Sequence, residues 1–114
     1  MKKILIIDDD AGICELLARA LTFFGHHVEA ACDGSQGIEF LKNHGQFEMV
    51  ITDINMPIMD GNEVARYIKR TFNGNGPQVI AITGCTKDAE RGLFDFLLEK
   101  PFKIEALQEV VNIV

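Results

Sequence analysis

Four polar landmarks in this chain each follow a short hydrophobic run. They are Asp8-Asp9, Asp53, Thr83 and Lys100. Carboxylate oxygens are the ligands that hard cations such as Mg²⁺ prefer, and a carboxylate can also accept a phosphoryl group as an acyl phosphate. A hydroxyl and an ammonium group can each bind phosphoryl oxygens. These residue types therefore suit a site for a divalent metal ion and a phosphoryl group.

The strands that precede the landmarks must bring them together. The four hydrophobic runs predict short buried strands at residues 4–7, 49–51, 79–82 and 96–98. Because the carboxyl ends of parallel strands share one edge of a sheet, where ligands bind, the acids, the hydroxyl and the amine are expected to converge there.

The rest of the chain alternates between strand and helix patterns. A weaker strand is predicted at residues 27–31, and the third strand is extended to residues 47–52. Helical spacing predicts a first helix that Asp9 or Asp10 caps and Gly25 ends, and further helices at about 35–44, 64–71, 87–92 and 104–111. Five strands alternating with five helices predict a parallel sheet covered on both faces, in a single domain over residues 1–114.

Composition excludes several classes of function. The formal net charge of −6 argues against direct nucleic-acid binding, which needs clustered cations. No apolar run approaches the roughly 20 residues of a membrane span, and the N-terminal run is too short for a signal peptide. The three cysteines, Cys14, Cys32 and Cys85, show no CxxC spacing and indicate reduced thiols in the cytoplasm. Cys14 and Cys32 are interpreted as packing residues.

Every landmark except Asp53, which has two possible chemical roles, also has a purely structural interpretation. Asp8 and Asp9 could cap the first helix, since anions are favoured at helix N-termini. Asp53 could be a metal ligand or a phosphoryl acceptor. Thr83 could cap the following helix, and an isolated lysine such as Lys100 is usually a solvated surface charge.

The combined motifs are specific, and across its whole length the chain resembles the response-regulator receiver domains of the CheY-like family. The resemblance rests on Ile6-Ile7-Asp8-Asp9-Asp10, Asp53-Ile54-Asn55-Met56-Pro57-Ile58-Met59-Asp60-Gly61, Ile82-Thr83-Gly84 and Lys100-Pro101-Phe102. It implies a flavodoxin-like α/β fold, a doubly wound parallel sheet of five strands in the order 2-1-3-4-5.

The resemblance also implies roles for individual residues. Asp53 would be the phospho-acceptor, and Asp8 and Asp9, with Asp53 and the backbone carbonyl of Asn55, would bind Mg²⁺. Thr83 and Lys100 would contact the phosphoryl group and transmit the change.

The implied activity is Mg²⁺-dependent acceptance of a phosphoryl group from a sensor histidine kinase or phosphotransfer protein, followed by slow self-hydrolysis. The chain would not otherwise be an enzyme. No effector domain is expected within these residues, and the resemblance names no downstream partner.

Two departures from the family concern the output of the signal. The segment between Thr83 and Lys100 is about five residues shorter than is typical, which exceeds one helical turn of 3.6 residues, so the fourth helix is expected to be shortened. Leu97 stands where the family usually carries an aromatic residue, with Phe96 beside it on the opposite face of an alternating strand. An absent or altered aromatic switch is favoured over a shifted strand that brings Phe96 into that place.

Two alternative functions follow. The first is a receiver-like interaction module in which the short helix and Leu97 impair the switch. The second is a small Mg²⁺-dependent phosphatase with Asp53 as nucleophile. This second alternative is disfavoured because Asn55 stands where haloacid-dehalogenase-like phosphatases carry an acid.

Overall fold

Five parallel strands form one sheet in the order β2-β1-β3-β4-β5 in the computed structural model, which describes residues 1–113. The strands are β1 Lys3–Ile7, β2 His27–Ala31, β3 Met49–Asp53, β4 Gln78–Thr83 and β5 Phe96–Glu99. The predicted fold class and strand order are confirmed. Val114, the last residue of the predicted domain, lies outside the described residues.

Within residues 1–113, four α-helices connect or follow the strands: α1 Ala11–Phe23, α2 Gly34–Asn43, α3 Gly61–Phe72 and α4 Ile104–Ile113. An aspartate side chain caps the first three of these helices. Asp10, rather than Asp9, caps α1 by accepting hydrogen bonds from the N–H groups of Gly12 and Ile13. Each cap satisfies backbone donors that the first turn of a helix leaves unpaired.

The sheet is buried on both faces. One core cluster packs β-strand residues such as Ile6 and Ile51 under α1 and α4, and a second packs Leu5, Val50 and their neighbours under α2 and α3. Burial on both sides explains why these strands read as continuous hydrophobic runs rather than as an alternation.

The segment between β4 and β5, residues 84–95, is called the strap below. It was predicted to contain a short helix at 87–92, but it forms two separate 3₁₀ turns, Thr86–Asp88 and Arg91–Leu93, and no α-helix. Nucleating a helix fixes several residues for each hydrogen bond gained, so a segment this short gains more from side-chain contacts with its neighbours.

The register of β5 decides which face Leu97 occupies. Leu97 lies opposite Ala81, and Phe96 lies opposite Ile80. Leu97 therefore shares the face of Thr83 and packs with Ile54, Ala81, Ala89 and Phe94. Phe96 points to the other face and is 40% exposed, so no shift of the strand brings it to the position of the family's aromatic residue.

The cysteines divide into two kinds. Cys14 is buried, as expected, and its thiol donates to the Asp8 carbonyl at 3.3 Å. The prediction that Cys32 is a packing residue is wrong, because Cys32 directly follows edge strand β2 and is exposed. None of the helices in residues 1–113 is long and apolar enough to cross a membrane.

Candidate functional site

The two strands that carry the acids lie side by side. β1 and β3 pair in parallel with Ile7 opposite Thr52, so Asp8 and Asp53 come at the same edge of the sheet. One carboxylate oxygen each from Asp8, Asp9 and Asp53 lies within 4.8 Å of the others. The chain thus concentrates three acids at one point, as the strand-end positions indicated.

Burial and like charge act together on Asp8. The residue is only 3% exposed, and desolvation raises its pKa above the ordinary value of 3.8. The negative charges of Asp53 and Asp9 raise the pKa further, whereas the N–H of Asp10 and the charge of Lys100 lower it. A divalent cation among these oxygens would relieve both the desolvation and the repulsion.

Lys100 is the cation that the fold itself supplies. Its Nζ lies 3.7 Å from Asp8 Oδ2 and 3.6 Å from Asp53 Oδ2. The backbone holds it there, because the Lys100 N–H donates to the Thr83 carbonyl at 2.8 Å and so continues the pairing of β4 with β5. An open cleft of about 580 Å³ lies over the acids, and its lining includes Asp10 and Ile13 as well.

The loop after Asp53 is held close to the strand. The Ile54 N–H donates to Asp53 Oδ1 at 2.7 Å, and the Gly61 N–H donates to the Ile54 carbonyl at 2.9 Å. A Cβ atom on Gly61 would lie 2.2 Å from the Asp53 carbonyl oxygen, so this close approach requires glycine. Residues 54–60 therefore turn back to the start of α3 directly beneath the acids.

Within that loop, Ile58 adopts an unusual conformation. Its φ is +70°, and the Met59 N–H donates to the Pro57 carbonyl at 2.7 Å. A three-residue turn with positive φ at a β-branched residue is strained. Ile58 is also 96% exposed.

Thr83 is fully buried at the end of β4. Its hydroxyl donates to the Cys85 carbonyl and accepts from the Cys85 N–H, both at 3.1 Å. In this structure the hydroxyl therefore shapes the turn that begins the strap. Thr83 does not cap a helix, because the next element is a 3₁₀ turn whose N-cap is Cys85, without a side-chain cap.

Asn55 has a partner that the sequence did not indicate. Its side-chain amide donates to Asp88 Oδ2 at 3.0 Å, and the buried Asn62 of α3 donates to the Asp88 carbonyl at 2.8 Å. Asp88 lies in no motif and is 33 positions from Asn55 and 26 positions from Asn62 along the chain. No sequence pattern predicts the hydrogen bond between Asn55 and Asp88, because it depends on the path of the strap in the folded chain.

The residues at the edge fit Mg²⁺. Every donor in the cluster of Asp8, Asp9 and Asp53 is a carboxylate oxygen, and no thiol or imidazole belongs to it. Hard oxygen donors of this kind select Mg²⁺ over softer metals. The raised pKa of Asp8 is a second sign, since burial first and the neighbouring carboxylates second disfavour its charged form, and a bound cation would offset both.

The sheet order and the receiver-like motifs can be set beside comparisons with known proteins. The family model for the response regulator receiver domain matches residues 4–112. "Response regulator MprA" of Mycobacterium sp. (strain KMS) is 36% identical over 110 residues, which cover 92% of this chain and 46% of the relative. The chain thus spans about half the length of the curated relatives it matches.

Solved structures show the same likeness. A response regulator receiver domain protein from Clostridium thermocellum superposes with a TM-score of 0.87 and 29% identity, covering 98% of this chain and 92% of the other. The response regulator TrrA of Thermotoga maritima, in complex with Mg²⁺ and BeF, gives 0.87 and 30% identity, with 98% and 97% covered. The chemotaxis response regulator CheY4 of Vibrio cholerae gives 0.89 at 25% identity, with the same coverage. The chain therefore belongs to the response regulator receiver domains, the signal-receiving modules of two-component phosphorelay systems.

Proposed function

We propose that this chain receives a phosphoryl group on Asp53 in a Mg²⁺-dependent reaction and passes the signal on through a change at its surface. The observation that carries the proposal is the placement of three carboxylates and Lys100 at one sheet edge. The donor would be a phosphohistidine on a sensor histidine kinase or a phosphotransfer protein. The cytoplasm is the proposed compartment, consistent with the three free cysteines.

Each residue at the sheet edge has a separate proposed role in the phosphoryl transfer. An oxygen of Asp53 attacks phosphorus as the phosphorus–nitrogen bond of the donor breaks, and the imidazole leaves with the electron pair. Asp8, Asp9, Asp53 and the Asn55 backbone carbonyl would hold Mg²⁺, which supplies charge stabilisation for the transferring group. Lys100, already 3.6 Å from Asp53 Oδ2, would pair with a phosphoryl oxygen.

Phosphorylation would add a charge of about −1.5 to −2 at this edge. For Thr83 to bind a phosphoryl oxygen, its hydroxyl must leave the Cys85 backbone, and the turn that opens the strap must change with it. A partner that binds one of the two states of this surface more tightly would read the signal.

Labelling with acetyl phosphate tests the proposal. With Mg²⁺ present, the wild-type protein is expected to gain one phosphate that Asp53→Asn does not gain, and chelation of Mg²⁺ is expected to prevent the labelling. The matched control is Asp60→Asn, which changes an aspartate that caps α3. Label that persists in Asp53→Asn contradicts the assignment.

A second candidate is a receiver-like module that accepts phosphate but switches poorly. The strap without an α-helix and the aliphatic Leu97 on the Thr83 face favour it. The two candidates differ in the amide chemical shifts of residues 84–100 after phosphorylation. Changes throughout the segment support the switch, and their absence supports the second candidate.

A further inference from the structure

The strap is fastened to helix α3 by a buried amide. Asn62 is 7% exposed, donates through Nδ2 to the Asp88 carbonyl at 2.8 Å, and accepts at Oδ1 from the Glu90 N–H at 2.9 Å. The amide nitrogen and the amide oxygen of Asn62 thus both form hydrogen bonds with the backbone of the strap. Because a buried amide that loses its partners is costly, the backbone from Asp88 to Glu90 is fixed relative to α3.

Two outer contacts fasten the strap from the solvent side. Arg66 Nη1 lies 2.6 Å from Glu90 Oε1, and Lys69 Nζ donates to the Gly92 carbonyl at 2.8 Å. The side chains of Arg66 and Glu90 are 42% and 58% exposed, so water and salt screen this pair. The inner contact through Asn62 therefore does more to determine the position of the strap.

From this fixed backbone, the Asp88 side chain reaches the loop after the phospho-acceptor. Its Oδ2 accepts from Asn55 Nδ2 at 3.0 Å, a hydrogen bond strengthened by the carboxylate charge. Asn55 is also the residue whose backbone carbonyl is proposed to bind Mg²⁺. An unbroken series of contacts thus runs from α3, through Asn62 and Asp88, to Asn55.

We propose that Asp88 is a positioning residue for the metal and phospho-acceptor site. By accepting the hydrogen bond from Asn55, it fixes the loop that carries the Asn55 carbonyl, and it transmits changes in that loop to the strap. This inference rests on the proposed function, because it takes the acid cluster to be the site of Mg²⁺ and phosphoryl binding.

The expected loss of Mg²⁺ affinity can be estimated from the effect of outer hydrogen-bond partners in other metal sites. Removing an outer partner that orients a ligand typically lowers metal affinity by 10- to 100-fold. Asp88 holds the side chain of Asn55 and not the proposed ligand atom itself, so a smaller loss of roughly three- to tenfold is expected.

Titration calorimetry with Mg²⁺ can distinguish the effect of the Asn55–Asp88 hydrogen bond from the general attraction of the Asp88 charge for a cation. Asp88→Ala removes both the contact and the charge, whereas Asp88→Asn keeps an acceptor oxygen and removes only the charge. Asp88→Ala is expected to weaken binding roughly three- to tenfold, with Asp88→Asn closer to wild type and Arg66→Ala unchanged. If Asp88→Asn weakens binding as much as Asp88→Ala, only charge matters and the proposal fails.

A second measurement follows the signal into the strap. Beryllium fluoride, added with Mg²⁺ as a stand-in for the phosphoryl group, is expected to shift the backbone amide resonances of Ile54, Lys100, Glu90 and Gly92 in the wild-type protein. In Asp88→Ala, Ile54 and Lys100 are expected to shift as before, whereas the shifts of Glu90 and Gly92 fall roughly threefold or more.

Undiminished shifts at Glu90 and Gly92 in Asp88→Ala would assign transmission to Thr83 and Cys85 and overturn the proposal. Wild-type shifts confined to Ile54 and Lys100 would overturn it too. If neither Ile54 nor Lys100 responds in the wild type, the proposed function itself is contradicted. If Asp88→Ala does not fold, Asn55→Ala removes the same hydrogen bond from its other end. At saturating Mg²⁺ and beryllium fluoride, its Glu90 and Gly92 shifts are expected to fall as well, and undiminished shifts there would overturn the proposal.

Discussion

Asp8 is almost completely buried beside two other carboxylates, which disfavours its negative charge. The nearby ammonium group of Lys100 partly offsets that effect. The positive charge of Lys100, 3.7 Å from Asp8 Oδ2, has opposite effects on the carboxylate and on a metal ion. Its charge lowers the pKa of Asp8, and the same charge repels an incoming Mg²⁺. In the proposed function, Lys100 would therefore weaken Mg²⁺ binding while providing a positive charge for the incoming phosphoryl group.

Replacing Lys100 tests this balance. Lys100→Met is expected to tighten Mg²⁺ binding roughly threefold to tenfold, because it removes a positive charge about 4 Å from two acid oxygens, and to slow labelling by acetyl phosphate. Titration calorimetry and labelling rates measure the two effects. Lys103→Met removes the same charge from an exposed position as a control. Equal tightening in both variants would show that net charge alone is responsible.

The raised pKa of Asp8 makes a prediction about stability and pH. Folding raises this pKa above 3.8, so the folded chain takes up a proton, and the stability that Asp8 contributes is full below pH 3.8 and is lost as pH rises through the folded pKa. Without Mg²⁺, Asp8→Asn is expected to raise the free energy of unfolding at neutral pH by on the order of 1 kcal/mol.

Urea unfolding at neutral pH and below pH 3.8, in the presence of a chelator, measures this difference. The advantage of Asp8→Asn should disappear in acid, where Asp8 is protonated in both states. The exposed Asp9, changed to Asn, is the control and should gain less. A less stable Asp8→Asn at neutral pH would mean that ionised Asp8 stabilises the fold.

Among the elements, the turn from β3 into α3 sets the geometry of the site. Asp60 and Glu63 form a reciprocal capping box that begins α3 directly after the loop. The close contact between Gly61 and the Asp53 carbonyl leaves the loop little room to move. The position of Asp53, the proposed phospho-acceptor, thus depends on a helix start several residues later.

Gly61→Ala tests that dependence. The new Cβ would lie 2.2 Å from a backbone oxygen that cannot rotate away, so the loop must shift. A loss of about 2 kcal/mol in the free energy of unfolding is expected, along with weaker Mg²⁺ binding. Gly92→Ala is the matched control, since a Cβ there meets nothing within 4 Å. Similar losses in both variants would rule out the close approach as the cause.

At the scale of the whole molecule, the proposed Mg²⁺ site would link metal binding to folding. Its three aspartates lie directly after β1 and at the end of β3 and are brought together only in the folded chain, so Mg²⁺ should bind the folded form much more tightly than the unfolded form. Ligands of this kind stabilise a protein in proportion to the logarithm of their concentration.

At a Mg²⁺ concentration of 100 times Kd, the free energy of unfolding is expected to rise by about 2.7 kcal/mol, or roughly 10 °C in Tm for a domain of this size. Thermal unfolding with NaCl at matched ionic strength separates specific binding from screening. The increase should be absent in Asp8→Asn and should shrink as pH falls through the raised pKa of Asp8, because a protonated carboxyl cannot bind the ion. A rise of similar size in Asp8→Asn would place the ion elsewhere.

The sequence by itself determined the five strands, the four α-helices outside the strap and the residue types at the sheet edge. Short continuous hydrophobic runs favour strands of a parallel sheet, and each polar landmark follows its run closely, so local pattern and parallel topology together place Asp8, Asp53 and Lys100 at one edge. The strand order followed from the family resemblance and not from periodicity, because hydrophobic spacing does not record which strands are neighbours.

Only the tertiary structure decided the form of the strap and the face of Leu97. The strap forms 3₁₀ turns because Asn62, Arg66 and Lys69 on α3 bind its backbone and side chains, and none of these partners is near it in sequence. The contact of Asn55 with Asp88 joins residues separated by 33 positions. Such contacts arise from the packing of separate elements, whereas a local pattern records only what a residue's own neighbours along the chain require.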